Sequence, residues 1–268
     1  GVAQVSLTNA EAKAEFISAL QDLGKIELLA FEWPTSGTSF VEASANLDVI
    51  TPVPGGGSNF NAFDTPPNSL GRNGGTQLHL NGTDERVTTP SSADHQFGDG
   101  AVDEALTIVA LVSSDTPAAN AVIASKNDSA AGKEEWEFRH DGNGYPTFVL
   151  YDDGASAYMG REDQTILGTN VWTLLSFTYD ASAALTGLSI YRDGVVVDDA
   201  DVASGTYTAM EVGTALTTIG CTYTTGTAAT FWSGAIAFVA IYRKELTAQE
   251  NSRLVQIVNK FYAPAVAI

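Results

Sequence analysis

Two glutamates in the segment Glu135-Trp-Glu-Phe-Arg-His140 have the spacing best suited to acid–base chemistry. Residues i and i+2 of a β-strand project from one face, so Glu135 and Glu137 are predicted to lie side by side. A retaining glycosidase needs two carboxyl groups about 5 Å apart, one as nucleophile and one as acid. Arg139 is predicted on the same face, where its charge would keep both carboxylates ionised and spoil the acid. The pattern therefore favours a solvated or ligand-facing polar surface over a catalytic pair.

Other catalytic and metal-binding patterns are absent from the sequence. There is no Gly-x-Ser-x-Gly motif, and no Ser or Cys stands in an evident relation to His79, His95 or His140. Three scattered histidines do not suggest a zinc site. Gly55-Gly-Gly57 precedes no predicted helix and therefore does not resemble a phosphate-binding loop. We therefore expect a protein that is not an enzyme.

Composition restricts the partners of the chain. Thirteen basic and thirty-two acidic residues give a formal charge of -19 over 268 residues, which would repel a phosphate backbone. No apolar run approaches the roughly 18 residues of a membrane span, and no secretory signal is visible. Cys221 is the single cysteine and is predicted to be a small buried strand residue. Nucleic acid and membrane insertion are therefore not expected.

The composition changes near residue 75. Residues 1–24 have a helical pattern ended by Gly24, and residues 25–33 are predicted to form a strand. Pro and Gly make regular structure unlikely over 51–75, so roughly residues 34–75 are predicted to be a linker or an arm. The pattern from residue 76 is β almost to the end. We therefore predict two parts: residues 1–75, and residues 76–268 with a closing C-terminal helix.

Alternating apolar and polar residues surround an Asn81-Gly82 turn signal in the segment LHLNGTDERV, residues 78–87. This pattern predicts a β-hairpin. The next strong segments are LTIVALV (106–112), predicted to be buried on both faces, and the alternating strand 134–140. Further strands are predicted over 147–151, 171–179, 187–192, 194–197 and 231–242.

The order of these segments resembles that of laminin G-like, concanavalin A-like jelly rolls. The segments that carry the resemblance are LHLNGTDERV (78–87), LTIVALV (106–112), NVWTLLSFTYD (170–180), LSIYRDGV (188–195), TIG (218–220) and WSGAIAFVAIY followed by LTAQE (232–250). The resemblance covers about residues 76–262. It implies an all-β fold: a two-sheet antiparallel jelly-roll sandwich, one sheet curved to leave a concave surface. An N-terminal helix plus extended arm and a C-terminal helix would flank it.

The resemblance also implies a metal site and weakens the glycosidase hypothesis. Members of this fold often hold one structural Ca²⁺ at a sheet rim through Asp, Asn and backbone oxygens. Asn81, Asp84 and Asp180 lie in matching turn regions, and Asp152-Asp153 offers a second cluster, although turns favour Asp and Asn in any case. Glycosidases on this fold use a strand motif E-x-D-x-x-E. The segment 135–140 lacks its third acidic residue.

Sugar binding would need an exposed aromatic platform surrounded by polar groups. The candidates from loops and strand ends are Tyr145, Tyr151, Tyr158, Tyr223 and Trp232. Most aromatic residues of a sandwich lie in its core, so each of these residues is also a candidate core residue.

Because the fold alone leaves function open, three hypotheses stand. The first is a non-catalytic structural and recognition protein of a virion, such as a phage capsid decoration or tail-associated protein. In that case the arm would contact neighbouring subunits of an oligomeric assembly, and the jelly roll would face surface glycans. The second is a secreted lectin-like or adhesion module. The third is a polysaccharide-degrading glycosidase using Glu135 and Glu137. The expected location is a virion or extracellular surface.

Overall fold

A computed structural model describes residues 9–30, 40–41, 49–53, 77–117, 119–130 and 132–262. Two α-helices flank the strands, α1 (Asn9–Gln21) and α2 (Ala248–Tyr262). The first strands are β1 (Ile26–Ala30), β2 (Phe40–Val41), β3 (Val49–Val53), β4 (Leu78–Asn81), β5 (Arg86–Thr89), β6 (Leu106–Ser114), β7 (Ala121–Asn127), β8 (Glu134–His140) and β9 (Pro146–Asp152). They are followed by β10 (Ala157–Glu162), β11 (Trp172–Tyr179), β12 (Leu188–Arg192), β13 (Val195–Val196), β14 (Ala200–Ser204), β15 (Thr217–Ile219), β16 (Thr222–Thr224), β17 (Thr227–Ala229) and β18 (Ser233–Tyr242). Single 3-10 turns occupy Ala93–His95 and Leu185–Gly187.

The described strands form two large antiparallel sheets and one short hairpin. The seven-stranded sheet has the order β1-β18-β6-β11-β12-β13. The seventh strand, β4, pairs with the first half of β18, and β1 pairs with the second half along the same edge. The nine-stranded sheet has the order β14-β10-β9-β8-β7-β15-β5-β3-β2, and β16 pairs with β17. The predicted all-β class, with antiparallel sheets and a helix near each end, is confirmed.

The two central strands of the seven-stranded sheet are buried on both faces. All nine residues of β6 are buried, as are nine of the ten residues of β18. Ile108, Ala110 and Val112 of β6 join the core between the two sheets. Val109 and Leu111 face the other way and pack with residues of both helices. The apolar run of β6 is continuous because both faces of the strand are buried, as the sequence predicted.

The helices α1 and α2 cover the outer face of the seven-stranded sheet. Phe16 of α1 makes edge-to-face ring contacts with Phe238 of β18 at 5.6 Å and with Phe261 of α2 at 5.2 Å. On α2, Thr247 and Glu250 form the predicted capping box, since the Thr247 N–H donates to Glu250 at 2.9 Å. Neither helix is long and apolar enough to cross a membrane within the described residues.

Two local predictions are wrong. The segment 78–87 turns at Gly82, where φ is +72°, but its strands do not form a hairpin. Instead β4 pairs with β18 in one sheet, whereas β5 pairs with β15 and β3 in the other, so the turn connects the two layers. Residues 51–53, predicted to be irregular, belong to β3. The residue types of the turn determine that the chain changes direction there, but not which strand each flanking strand will pair with.

The boundary predicted after residue 75 stays a prediction, because residues 54–76 lie outside the described residues. The described elements before it are α1, which belongs to the helix layer, and β1, β2 and β3, which belong to the two large sheets.

One end of the core contains an aromatic pair with a pH-sensitive member. Trp232 is fully buried and its ring lies 4.9 Å from the ring of His140, which is also fully buried. Burial lowers the pKa of His140 to about 4, because the charged imidazolium loses its hydration.

We predict that Phe16→Ala lowers the free energy of unfolding by about 3–5 kcal/mol, since a ring packed on three others leaves a cavity. Urea denaturation measures this change. Ser18→Ala, on the exposed side of the same helix, is the control and should change stability by about 0.5 kcal/mol or less. If both changes lowered the free energy of unfolding by the same small amount, the packing of α1 on the seven-stranded sheet would not stabilise the fold as we predict.

We predict that His140 makes the fold less stable as the pH falls from about 6.5 to about 4. In this window the unfolded chain binds a proton at His140 that the folded chain does not, so stability rises with pH. The free energy of unfolding of the wild type relative to His140→Gln should fall by about 3 kcal/mol from pH 7.5 to pH 4. Carboxyl groups titrate in both proteins and largely cancel in the difference. If the difference in free energy of unfolding between the two proteins did not change with pH, His140 would not be the group responsible for the loss of stability.

Candidate functional site

The candidate site is the outer face of the nine-stranded sheet. In the part of the chain that the structure describes, both helices pack on the other sheet and neither packs here. The inner face of this sheet contributes Phe148 and Leu150 of β9 to the core. Strand alternation therefore places Thr147, Val149 and Tyr151 on the outer face.

A β-bulge in β8 breaks the alternation on which the sequence prediction depended. Trp136 pairs with Lys126, but the next pair is Glu134 with Asn127, so Glu135 is an extra residue in β8. In a bulge, two residues of one strand stand opposite one residue of the other, and the order of the faces is interrupted. The prediction that Glu135 and Glu137 share one polar face is therefore wrong.

Glu135 forms a buried ion pair with Lys126. The side chains are 0% exposed, and Lys126 Nζ lies 2.6 Å from Glu135 Oε1. Lys126 Nζ also donates to the carbonyl oxygens of Gly213 at 3.2 Å and Ala215 at 3.1 Å, and the Gly213 N–H donates to Glu135 Oε1 at 3.0 Å. Burial raises the pKa of Glu135 to about 7, against the effect of the Lys126 charge. The pair anchors the loop before β15 and is not accessible to a substrate.

Glu137 lies on the outer face and holds two neighbours in place. Its Oε2 accepts from Arg139 Nη1 at 3.1 Å and from the Tyr151 hydroxyl at 3.0 Å. Glu137 is only 3% exposed, and burial raises its pKa although Arg139 opposes the shift. The expectation that Arg139 acts on both glutamates is therefore wrong: Arg139 pairs with Glu137, whereas the ion-pair partner of Glu135 is Lys126.

Tyr151 and Tyr158 form an aromatic pair on this face. They are directly opposite residues of β9 and β10, their ring centroids are 6.1 Å apart, and the rings are tilted by 56°. Both side chains are partly exposed. The structure thus brings two of the predicted sugar-binding tyrosines together. Gly160 follows on the same face, where a Cβ atom would meet the Phe148 carbonyl oxygen at 2.1 Å, so only glycine fits.

Acidic side chains surround this aromatic pair. Glu134 lies beside the bulge, and burial followed by the charges of Asp153 and Glu137 raises its pKa. At the other side of the face, burial and the charge of Asp141 raise the pKa of Glu162. The sequence analysis missed Glu134 and Glu162, since neither stands out in a strictly alternating pattern.

The β16–β17 hairpin borders the same face on the side of β7. The Thr222 hydroxyl donates to the Asn127 carbonyl oxygen at 3.3 Å, and Tyr223 bridges to Asp128 just beyond β7. Arg86 Nε donates to the Tyr223 hydroxyl at 3.3 Å. Tyr223 therefore lies at the edge of the face, on the opposite side from Tyr151 and Tyr158.

The other two aromatic candidates lie elsewhere. Tyr145 is partly exposed in the turn between β8 and β9. Trp232 packs against His140 in the core and is 0% exposed, so it presents no ring face to a ligand. The candidate role of Trp232 is therefore wrong, because its flanking strands bring it between the sheets.

The residues predicted to bind calcium are not brought together. Asn81 pairs with Ser233 at the start of β18, and its amide donates to Asp84 Oδ1 at 3.0 Å. Asp180 follows Tyr179, at the other end of the seven-stranded sheet, roughly 30 Å away along the strands. The oxygens of Asp152 accept from the N–H groups of Ala155 and Thr208. Among the described residues no group of three or more His, Cys, Asp or Glu could hold a metal ion.

We predict that Glu135→Gln lowers the free energy of unfolding by about 3–5 kcal/mol, because the change leaves the buried Lys126 charge uncompensated. Chemical denaturation checks this, and the double variant Glu135→Gln with Lys126→Met should recover part of the loss. Strictly additive losses in the double variant would contradict the coupling.

Comparison with known proteins supports the architecture. A family model described as the concanavalin A-like lectin/glucanases superfamily matches residues 81–250. No curated protein matches the sequence. Domain 4 of the extracellular arabinanase AbnA from Geobacillus stearothermophilus, solved with arabinotriose, is 14% identical with a TM-score of 0.55, covering 87% of this chain and 98% of that one.

Two toxin domains are similar at the same level. The binding domain of Paraclostridial Mosquitocidal Protein 1 is 11% identical with a TM-score of 0.56 over 88% of this chain. A botulinum neurotoxin type C structure, described as dependent on two ganglioside molecules for cell entry, is 12% identical with a TM-score of 0.56 over 90%. The chain spans 52% of each of these two proteins, and identities this low show the fold alone. Since the family model matches well over half of its length, this chain belongs to the concanavalin A-like lectin/glucanases superfamily.

Proposed function

We propose that this protein is a non-catalytic glycan-recognition domain that binds sugars on the outer face of its nine-stranded sheet. The observation that carries the proposal is the partly exposed Tyr151–Tyr158 pair beside the Glu137–Arg139 ion pair. A tyrosine ring offers an apolar surface to the C–H face of a sugar ring, and its hydroxyl can hydrogen-bond. Binding of arabinotriose by a similarly folded domain supports the same class of ligand.

The arrangement of the glutamates supports a binding role over hydrolysis. Glu135 is enclosed with Lys126, and Glu137 is nearly inaccessible with both donors on one of its oxygens. The two carboxyl groups that a glycosidase hypothesis would pair are therefore separated by the bulge and do not flank a common substrate position.

We further propose that the domain is displayed on a larger assembly, a phage virion in the most specific version, or on a secreted adhesion protein. The charge of -19 and the Gly/Pro-rich composition of the predicted arm support the virion version. Glycan recognition by the outer face is common to both versions.

We predict that Tyr158→Ala weakens glycan binding at least tenfold, because the change removes one ring of the pair and leaves the Tyr151–Glu137 hydrogen bond in place. A glycan array that includes arabinotriose would identify ligands, and calorimetry would measure the affinities of wild type and variant. Tyr191→Ala, a partly exposed tyrosine on β12 of the other sheet, is the control and should bind like the wild type. Equal affinities of all three proteins would place the binding site elsewhere.

A further inference from the structure

We infer that the outer face selects uncharged glycans and rejects glycans carrying carboxylate or sulfate groups. This inference rests on the proposed glycan-binding function and specifies its ligand class.

The charges around the Tyr151–Tyr158 pair are predominantly negative. Within the described residues, the cations of this face are Arg139, paired with Glu137 at 3.1 Å, Lys133, paired with Asp128 at 3.6 Å, and Arg86, which contacts Tyr223 at the far edge. Carboxylates outnumber these cations within the described residues. The carboxylates are Asp128, Glu134, Glu137, Asp141, Asp153 and Glu162. A ligand bearing a further negative charge would add to this excess, in a protein whose formal charge is already -19.

Among the described residues, Arg139 is the cation that shares a partner with Tyr151, and its charge is already paired with Glu137. Arg139 donates to Glu137, whose same oxygen accepts from Tyr151. An acidic sugar would either share the charge of Arg139 with the Glu137 carboxylate or draw the arginine away from it. Withdrawing the arginine would leave Glu137 without its ion pair in a poorly hydrated position, which is unfavourable.

Neutral sugars can use the carboxylates of this face as hydrogen-bond acceptors. Carboxylate oxygens accept hydrogen bonds from hydroxyl groups, and Glu134 and Glu162 offer such acceptors on either side of the tyrosines. After burial, the charges of Asp153 and Glu137 raise the pKa of Glu134, and the charge of Asp141 raises that of Glu162 against the opposing charge of Arg139. This environment strengthens acceptance from a hydroxyl group and opposes a second anion.

The experiment uses the full 268-residue chain on an array of neutral, sialylated, uronic-acid and sulfated glycans. We expect the bound glycans to be uncharged, and each acidic glycan to bind at least tenfold more weakly than its methyl-esterified or desulfated form. For the acidic forms alone, affinity should improve with ionic strength, since salt screens repulsion. Preferential binding of acidic glycans would overturn the inference and leave the proposed function intact. Binding of no glycan would instead refute the proposed function.

Charge variants test the mechanism. Glu134→Gln with Glu162→Gln should raise the ratio of acidic to neutral glycan affinity severalfold. Glu245→Gln, an exposed glutamate between β18 and α2, removes a charge of the same sign away from the face and should leave the ratio unchanged. The same ratio in all three proteins would overturn the inference, and a changed ratio in Glu245→Gln would assign the effect to net charge.

Discussion

The structure depends on the burial of the seven-stranded sheet on both of its faces. Its central strands β6 and β18 are apolar on both sides, so each face must pack against another layer. The nine-stranded sheet covers one face and the two helices cover the other. Once the helices are used in this way, the sheet face without a helix among the described elements is the outer face of the nine-stranded sheet. The position of the candidate site thus follows from where apolar surface had to be hidden.

The bulge in β8 determines the chemistry of that face. By inserting Glu135 between the Trp136–Lys126 and Glu134–Asn127 pairs, it places one carboxylate in a buried ion pair with Lys126. A regular strand would have presented two adjacent glutamates to solvent. The bulged strand instead presents one well-bonded glutamate and an arginine, and this arrangement supports the proposed binding of sugar hydroxyl groups.

Much of the fold could be predicted because its signals are local. The continuous apolar segment 106–112 and the Thr247–Glu250 capping box each predicted an element that the structure contains. The site was harder to predict. Tyr151 and Tyr158 were named as separate candidates, but only strand pairing makes them neighbours. Lys126 follows the mostly apolar segment 121–125 of β7, a position that could have suggested a buried partner such as Glu135.

The sequence by itself determined the class of secondary structure, the succession of strands along the chain and the acidic charge of the protein. These properties depend on residue type and short-range periodicity. The tertiary structure decided which segments meet. The strands on the two sides of the Asn81-Gly82 turn belong to different sheets, Trp232 is buried in the core, and Asn81 lies far from Asp180. The physical reason is that strand partners, bulges and burial are set by contacts between residues distant in sequence, and no local pattern encodes them.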